Sequence, residues 1–167
     1  MKGVEELLLL VIEEKKIVHG EESVKLVTDY NKLTELYMIQ GDYTVAEEYV
    51  HKAKSLMKKE GVTSNLLYAE VLLLEAELLY LVGDFEYSIE KYEAVRAFQL
   101  EKLHETHPKV AYTIQEEVMT KLALGLTEGV EDDLIQAVSI IRKSVGDDSR
   151  SYAESLKKLA IYYTHER

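Results

Sequence analysis

Cysteine is absent and proline occurs once, at Pro108. Without cysteine no disulfide scaffold can form. The lone proline lies in HETHPKVAY, a setting that suits the first turn of a helix, where its missing N–H leaves no bond unmade. Basic charge is also short: 20 Lys and Arg stand against 31 Asp and Glu, a net charge of −11. Phosphate contacts need clustered cations, so the balance argues against nucleic acid as a partner. Long apolar runs are missing as well. The N-terminal run from Leu7 to Ile12 is too short to span a bilayer, and glutamates flank it instead of a basic leader and a small-residue cleavage site. A cytoplasmic setting away from membranes is therefore expected. No HExxH, P-loop, GxSxG or dinucleotide fingerprint occurs, so neither an enzyme nor a cofactor is expected.

What is present is a folded-protein composition, 47% hydrophobic and 31% charged over 167 residues, and a written repeat. IQGDYTVAEEYVHKA at 39–53 returns as LVGDFEYSIEKYEAV at 81–95, and Gly41, Gly83 and Gly125 are each 42 residues apart. Five, nine and twelve residues after these glycines stand Ala46/Ser88/Val130, Val50/Tyr92/Leu134 and Ala53/Val95/Ala137. Offsets of four and three lay one apolar stripe along a helix. The intervening segments carry a second stripe in three columns: Val27/Ala69/Ala111/Ala153, Tyr30/Leu72/Ile114/Leu156 and Thr34/Ala76/Val118/Ala160. Glycine also recurs near the half-period, at Gly20, Gly61 and Gly146, where it suits a helix end. No strand pattern appears. The reading is helices near 2–18, 22–39, 43–60, 63–82, 85–103, 108–124, 130–144 and 149–165.

These residues resemble tetratricopeptide (TPR) repeats, and the 42-residue period with HPKVA at 107–111 is similar to the kinesin-light-chain kind. The resemblance implies an all-α, right-handed α-solenoid of antiparallel helix pairs, about three and a half repeats in seven or eight helices. It implies a single domain over 1–167: a partial N-terminal helix at 1–20, repeats at 22–60, 63–103 and 108–144, and a capping helix at 149–167. Two departures stand out. The column where the family usually has Leu reads Leu33, Glu75, Glu117, Leu159, so two carboxylates must reach solvent or meet a cation. GLTEGVEDDLIQAV lacks the Asp-aromatic turn, which predicts a longer, looser connection before 130.

By the same resemblance the first helix of each pair lines a concave groove that binds a peptide segment of a partner protein. The residues implied are Asn31, Glu35 and Met38, then Glu70, Leu73, Glu77 and Tyr80, then Tyr112, Gln115 and Met119, with Thr28, Ile39, Leu81, Leu122 and Ala123 beside them. Amides such as Asn31 and Gln115 can both donate to and accept from an extended backbone. Some TPR domains clamp an acidic tail with cations in these columns. Here Glu35, Glu70 and Glu77 stand in their place, so a neutral or basic peptide is expected and an EEVD-type tail is not.

Other candidates point to structure. His104 and His107 have ligand-like spacing but no third ligand nearby, so they read as turn residues and no metal is expected. The lysines of HKAKSLMKK at 51–59 read as a solvated face. At the C-terminus, Glu154, Lys157, Lys158, Glu166 and Arg167 suit a solvating end, whereas Ile161, Tyr162 and Tyr163 are too apolar for one. Two arrangements would cover them, a homodimer through this helix or continuation of the array in a longer chain. SYAESLKKLAIYYTHER also resembles the last repeats of Rap-type peptide-pheromone receptors, which implies as the alternative function a bacterial peptide-sensing regulator or a fragment of one.

Overall fold

The structure, a computed structural model, describes residues 2–165. Among these, eight α-helices and no strand are present: α1 (Lys2–His19), α2 (Val27–Gln40), α3 (Tyr43–Lys59), α4 (Leu66–Val82), α5 (Phe85–Lys102), α6 (Pro108–Ala123), α7 (Val130–Val145) and α8 (Arg150–His165). The all-α repeat architecture read from the sequence is the one observed. The helices gather into two compact units, one through Val82 and one from Gly83. In the first, α1 packs on α2, α2 on α3, α3 on α4, and α2 also touches α4. In the second, α5, α6, α7 and α8 pack in succession and α6 also touches α8. A helix meeting both its neighbour and the next helix of its own type is how stacked hairpins bury stripes that one hairpin cannot.

The recurring Gly-Asp has a mechanical reason. At Gly41 the backbone turns left-handed (φ 79°), the Gly41 N–H donates to the Met38 carbonyl at 3.1 Å, and the Asp42 N–H donates to the Tyr37 carbonyl at 3.0 Å. That pair of bonds closes α2. The Asp42 carboxylate then accepts from the Val45 N–H at 3.4 Å, starting α3. Here one dipeptide ends a helix and begins the next, whereas at Gly83-Asp84 the Asp84 side chain makes no capping bond to α5. At the third site Gly125 and Leu126 close α6 in the same way, with bonds of 3.0 and 2.9 Å to Leu122 and Lys121, but leucine cannot cap the following helix. The chain runs on to Gly129 before α7 starts, so the longer turn expected there is present. Two helices begin later than the stripes suggest. A 3-10 turn at Val24–Leu26, with Ser23 Oγ accepting from the Lys25 N–H at 3.3 Å, precedes α2. Asn65 Oδ1 accepts from the Tyr68 N–H at 2.9 Å and sets the start of α4.

A tyrosine cluster fastens α1 to its unit. The Tyr37 hydroxyl donates to Glu5 Oε1 at 2.8 Å, and its ring stacks on Tyr49 at 5.7 Å with 5° between planes. Burial first, then the Glu5 hydrogen bond, pushes the Tyr37 pKa up to about 12 from an ordinary value of 10.0. The folded state therefore holds this proton more tightly than the unfolded chain, so its contribution to stability is intact below pH 10.0 and is lost as pH rises toward about 12. Urea denaturation across that window should show Tyr37→Phe losing less stability with rising pH than the parent. At neutral pH the variant should be weaker by about 1 kcal/mol for the missing hydrogen bond. Parallel alkaline limbs would remove Tyr37 from the account.

Candidate functional site

The structure resolves what the two odd glutamates do. Glu75 and Lys54 are each 16% exposed and paired, with Lys54 Nζ 2.6 Å from both carboxylate oxygens. Glu117 is 2% exposed; Lys121, one turn on, donates to its Oε1 at 2.5 Å, and Arg96 Nη1 lies 3.5 Å from its Oε2. The Arg96 contact has ion-pair distance but falls short of hydrogen-bond geometry, leaving that oxygen without a bond. Arg96 also donates twice to Asp133, at 3.2 and 3.0 Å. Burial lowers the Arg96 pKa, but the Asp133 bonds and charge, aided by Glu117, more than offset this and hold it above its ordinary value. Neither glutamate is a free acid awaiting a substrate.

The expected lining residues divide by unit. On α2, Glu35 and Ile39 are exposed, Met38 is half-buried, and Asn31 is buried with its Oδ1 lacking a hydrogen-bond partner. On α4, Glu70, Leu73 and Glu77 are half-buried while Tyr80 and Leu81 are exposed. Because α2 and α4 touch, these residues belong to one local framework in the first unit. In the second unit Tyr112 is exposed with Lys158 Nζ 5.6 Å from its ring centre, and Met119 is half-buried. Gln115 and Leu122 are core residues there. The Gln115 amide donates to Ser155 Oγ at 2.7 Å, joining α6 to α8, so that donor is occupied within the fold. The residue that sequence reasoning lacked is Ser155. Its only signal is that it sits 40 residues after Gln115 on a helix of the same type.

Several sequence candidates have structural roles. His107 caps α6 by accepting from the Lys109 N–H at 3.1 Å, and His104 Nδ1 accepts from the Thr106 N–H at 3.3 Å. Among the described residues no group of three or more metal-ligating side chains gathers. The lysine run is a partial correction. Lys52 is exposed and its Nζ lies 4.5 Å from the Tyr49 ring centre, but Lys54 is not solvated, because Glu75 draws it in. Tyr162 faces the core of its own unit, whereas Tyr163 is exposed. Glu166 and Arg167 lie outside the described residues. A cleft of about 160 Å³ between α3 and α4, bordered by Thr44, His51 and Leu79, is smaller than the roughly 300–1,000 Å³ of ordinary small-ligand pockets. No described helix is long and apolar enough to cross a membrane.

Comparison with known proteins agrees with this geometry at the level of the fold. No family model and no curated protein matches the chain. Among solved structures, a point variant of a Podosopora anserina protein, described as a kinesin light chain with nearly identical TPR-like repeats, is similar at 22% identity and a TM-score of 0.76, over 96% of this chain and 76% of that one. The form without that substitution gives 21% identity and a TM-score of 0.74 over the same shares. BtubC (BKLC) from P. vanneervenii gives 19% identity and a TM-score of 0.77, covering 98% of this chain and 65% of its own. The structural neighbours are thus TPR-like repeat proteins, and TPR-like repeats are the fold of this chain.

Proposed function

We propose that the protein is a non-enzymatic, cytoplasmic protein-interaction module that holds an extended peptide segment of another protein. The carrying observation lies in the first unit. There α2 leaves Glu35 and Ile39 exposed and Met38 half-buried, and α4, which touches α2, leaves Tyr80 and Leu81 exposed. Large exposed apolar side chains on the same pair of helices as carboxylates suit a peptide with apolar and neutral or basic residues. The fold supports an adaptor over the Rap-type sensor, since the neighbours above are kinesin-light-chain-like and BtubC.

The test is a peptide library read by fluorescence anisotropy. Neutral and basic sequences should bind, and acidic EEVD-type tails should not. Reversing charge at Glu70→Lys with Glu77→Lys should weaken the selected peptide about tenfold, a modest sum for two charges at the edge of an interface. Unchanged affinity would take the carboxylates out of the reading, and binding of acidic tails alone would reverse it.

A further inference from the structure

The 42-residue register shows what the two outermost described helices lack. In the second helix of a pair, the stripe is buried: Ala46, Val50 and Ala53 on α3, Val130, Leu134 and Ala137 on α7. One period before α3 the same columns fall at Val4, Leu8 and Val11 on α1. There Val4 is 56% exposed, Leu8 and Val11 are only half-buried, and Leu7 and Leu10 are exposed beside them. In the first helix of a pair, Ala111, Ile114 and Val118 are buried on α6, which packs on α7. Their continuation on α8 is Ala153, Leu156 and Ala160, all exposed, although α8 buries Ser155 and Tyr162 on its other face. So α1 is a second-type helix that packs on α2 and leaves its own stripe open, and α8 is a first-type helix that packs on α6 and α7 and leaves its own stripe open.

We infer that the α8 stripe of one molecule takes the α1 stripe of a second copy of this chain, antiparallel, as α6 takes α7. The template for the contact is the repeat interface already inside each molecule, with a small column meeting a bulkier one. Charge agrees. Over 3–18, α1 carries Glu5, Glu6, Glu13 and Glu14 against Lys15 and Lys16, while over 150–164 α8 carries Arg150, Lys157 and Lys158 against Glu154. Exposed Glu14 lies among the open apolar residues of α1, and exposed Lys157 flanks the open stripe of α8. Such a contact joins two different surfaces, so it propagates head to tail instead of closing as a twofold dimer. One helix against one helix is a small interface, which points to association in the micromolar to millimolar range, roughly 10 µM to 1 mM.

Sedimentation equilibrium of the chain tests this. The average mass should rise above that of the monomer across that range. Val4→Glu alone and Leu156→Glu alone should each hold the mass at the monomer, with helicity unchanged by circular dichroism because both positions are exposed. Mixing the two variants should restore a dimer and nothing larger, since each supplies the face the other has lost. A parent that stays monomeric at about 1 mM overturns the inference and leaves the stripes to some other helix. Assembly that survives Val4→Glu overturns it in favour of α8 pairing with α8.

Discussion

Arg96→Met should destabilise the fold by about 3 kcal/mol, the lower edge of what removing one partner from a buried ion pair costs. The guanidinium reaches Asp133 through two hydrogen bonds and Glu117 at 3.5 Å. Without it, Glu117 at 2% exposure keeps one cation, Lys121, and that survivor is why the loss stays at the lower edge. The opposite substitution behaves differently. Glu117→Leu supplies what Leu33 and Leu159 supply in the same column, leaves Arg96 with Asp133, and leaves Lys121 beside Glu93 at 3.7 Å. Its stability should fall within about 1 kcal/mol of the parent, because apolar replacement of a buried charge is often neutral or favourable. Urea melts followed by circular dichroism decide the matter through the double variant, Arg96→Met with Glu117→Leu. Recovery of most of the loss assigns the penalty to an unpaired carboxylate. If the double variant is no better than Arg96→Met, the arginine contributes through its stem and Asp133 alone.

That pairing was written in the sequence, at half the period. Lys54 and Arg96 are 42 residues apart, as are Glu75 and Glu117, and each cation precedes its glutamate by 21. Ile12 and Leu33 occupy the same two columns one period earlier, Val138 and Leu159 one period later. The columns thus read apolar with apolar, cation with anion, cation with anion, apolar with apolar. Sliding the chain by 42 exposes the glutamates as departures; sliding it by 21 exposes their partners, because 21 is the step from one helix to the next.

Other features were legible for local reasons. Glycine at helix ends and the Asp42 cap follow from backbone conformation and capping, which a few residues determine, so helix limits agree with the sequence reading to within five residues. What was not legible depends on side chains meeting across the fold without a repeat. Gln115 with Ser155 occurs once, so no column marks it, and it removes an amide from the candidate binding face. Tyr37 with Glu5 does return, three periods on, as Tyr163 with Glu131, but Leu79 and Lys121 stand in the tyrosine column between them, so the column hides the pair. Amphipathic pattern says which side of a helix is wet. It does not say which polar group has already found a partner.

The column pairing also makes the largest effect a matter of position. Leu33→Glu should destabilise by about 5 kcal/mol or more, enough to rival the whole stability of a domain this size. Leu33 is fully buried, and its column partner is Ile12, which offers no charge. The variant loses the transfer energy of a leucine, about 2 kcal/mol, and adds a buried carboxylate with nothing opposite. Yet the chain carries the same residue at 75 and 117, where Lys54 and Arg96 stand opposite. Adding Ile12→Lys should therefore restore part of the lost stability. Leu33→Ala, expected to cost about 3 kcal/mol by cavity formation alone, should gain nothing from that lysine. The four variants, each single change with and without Ile12→Lys, separate charge pairing from packing even if Leu33→Glu does not fold, since its double variant then either folds or does not. Equal loss in Leu33→Glu with and without Ile12→Lys would mean that the 21-residue pairing is a property of the two middle pairs and not of the repeat.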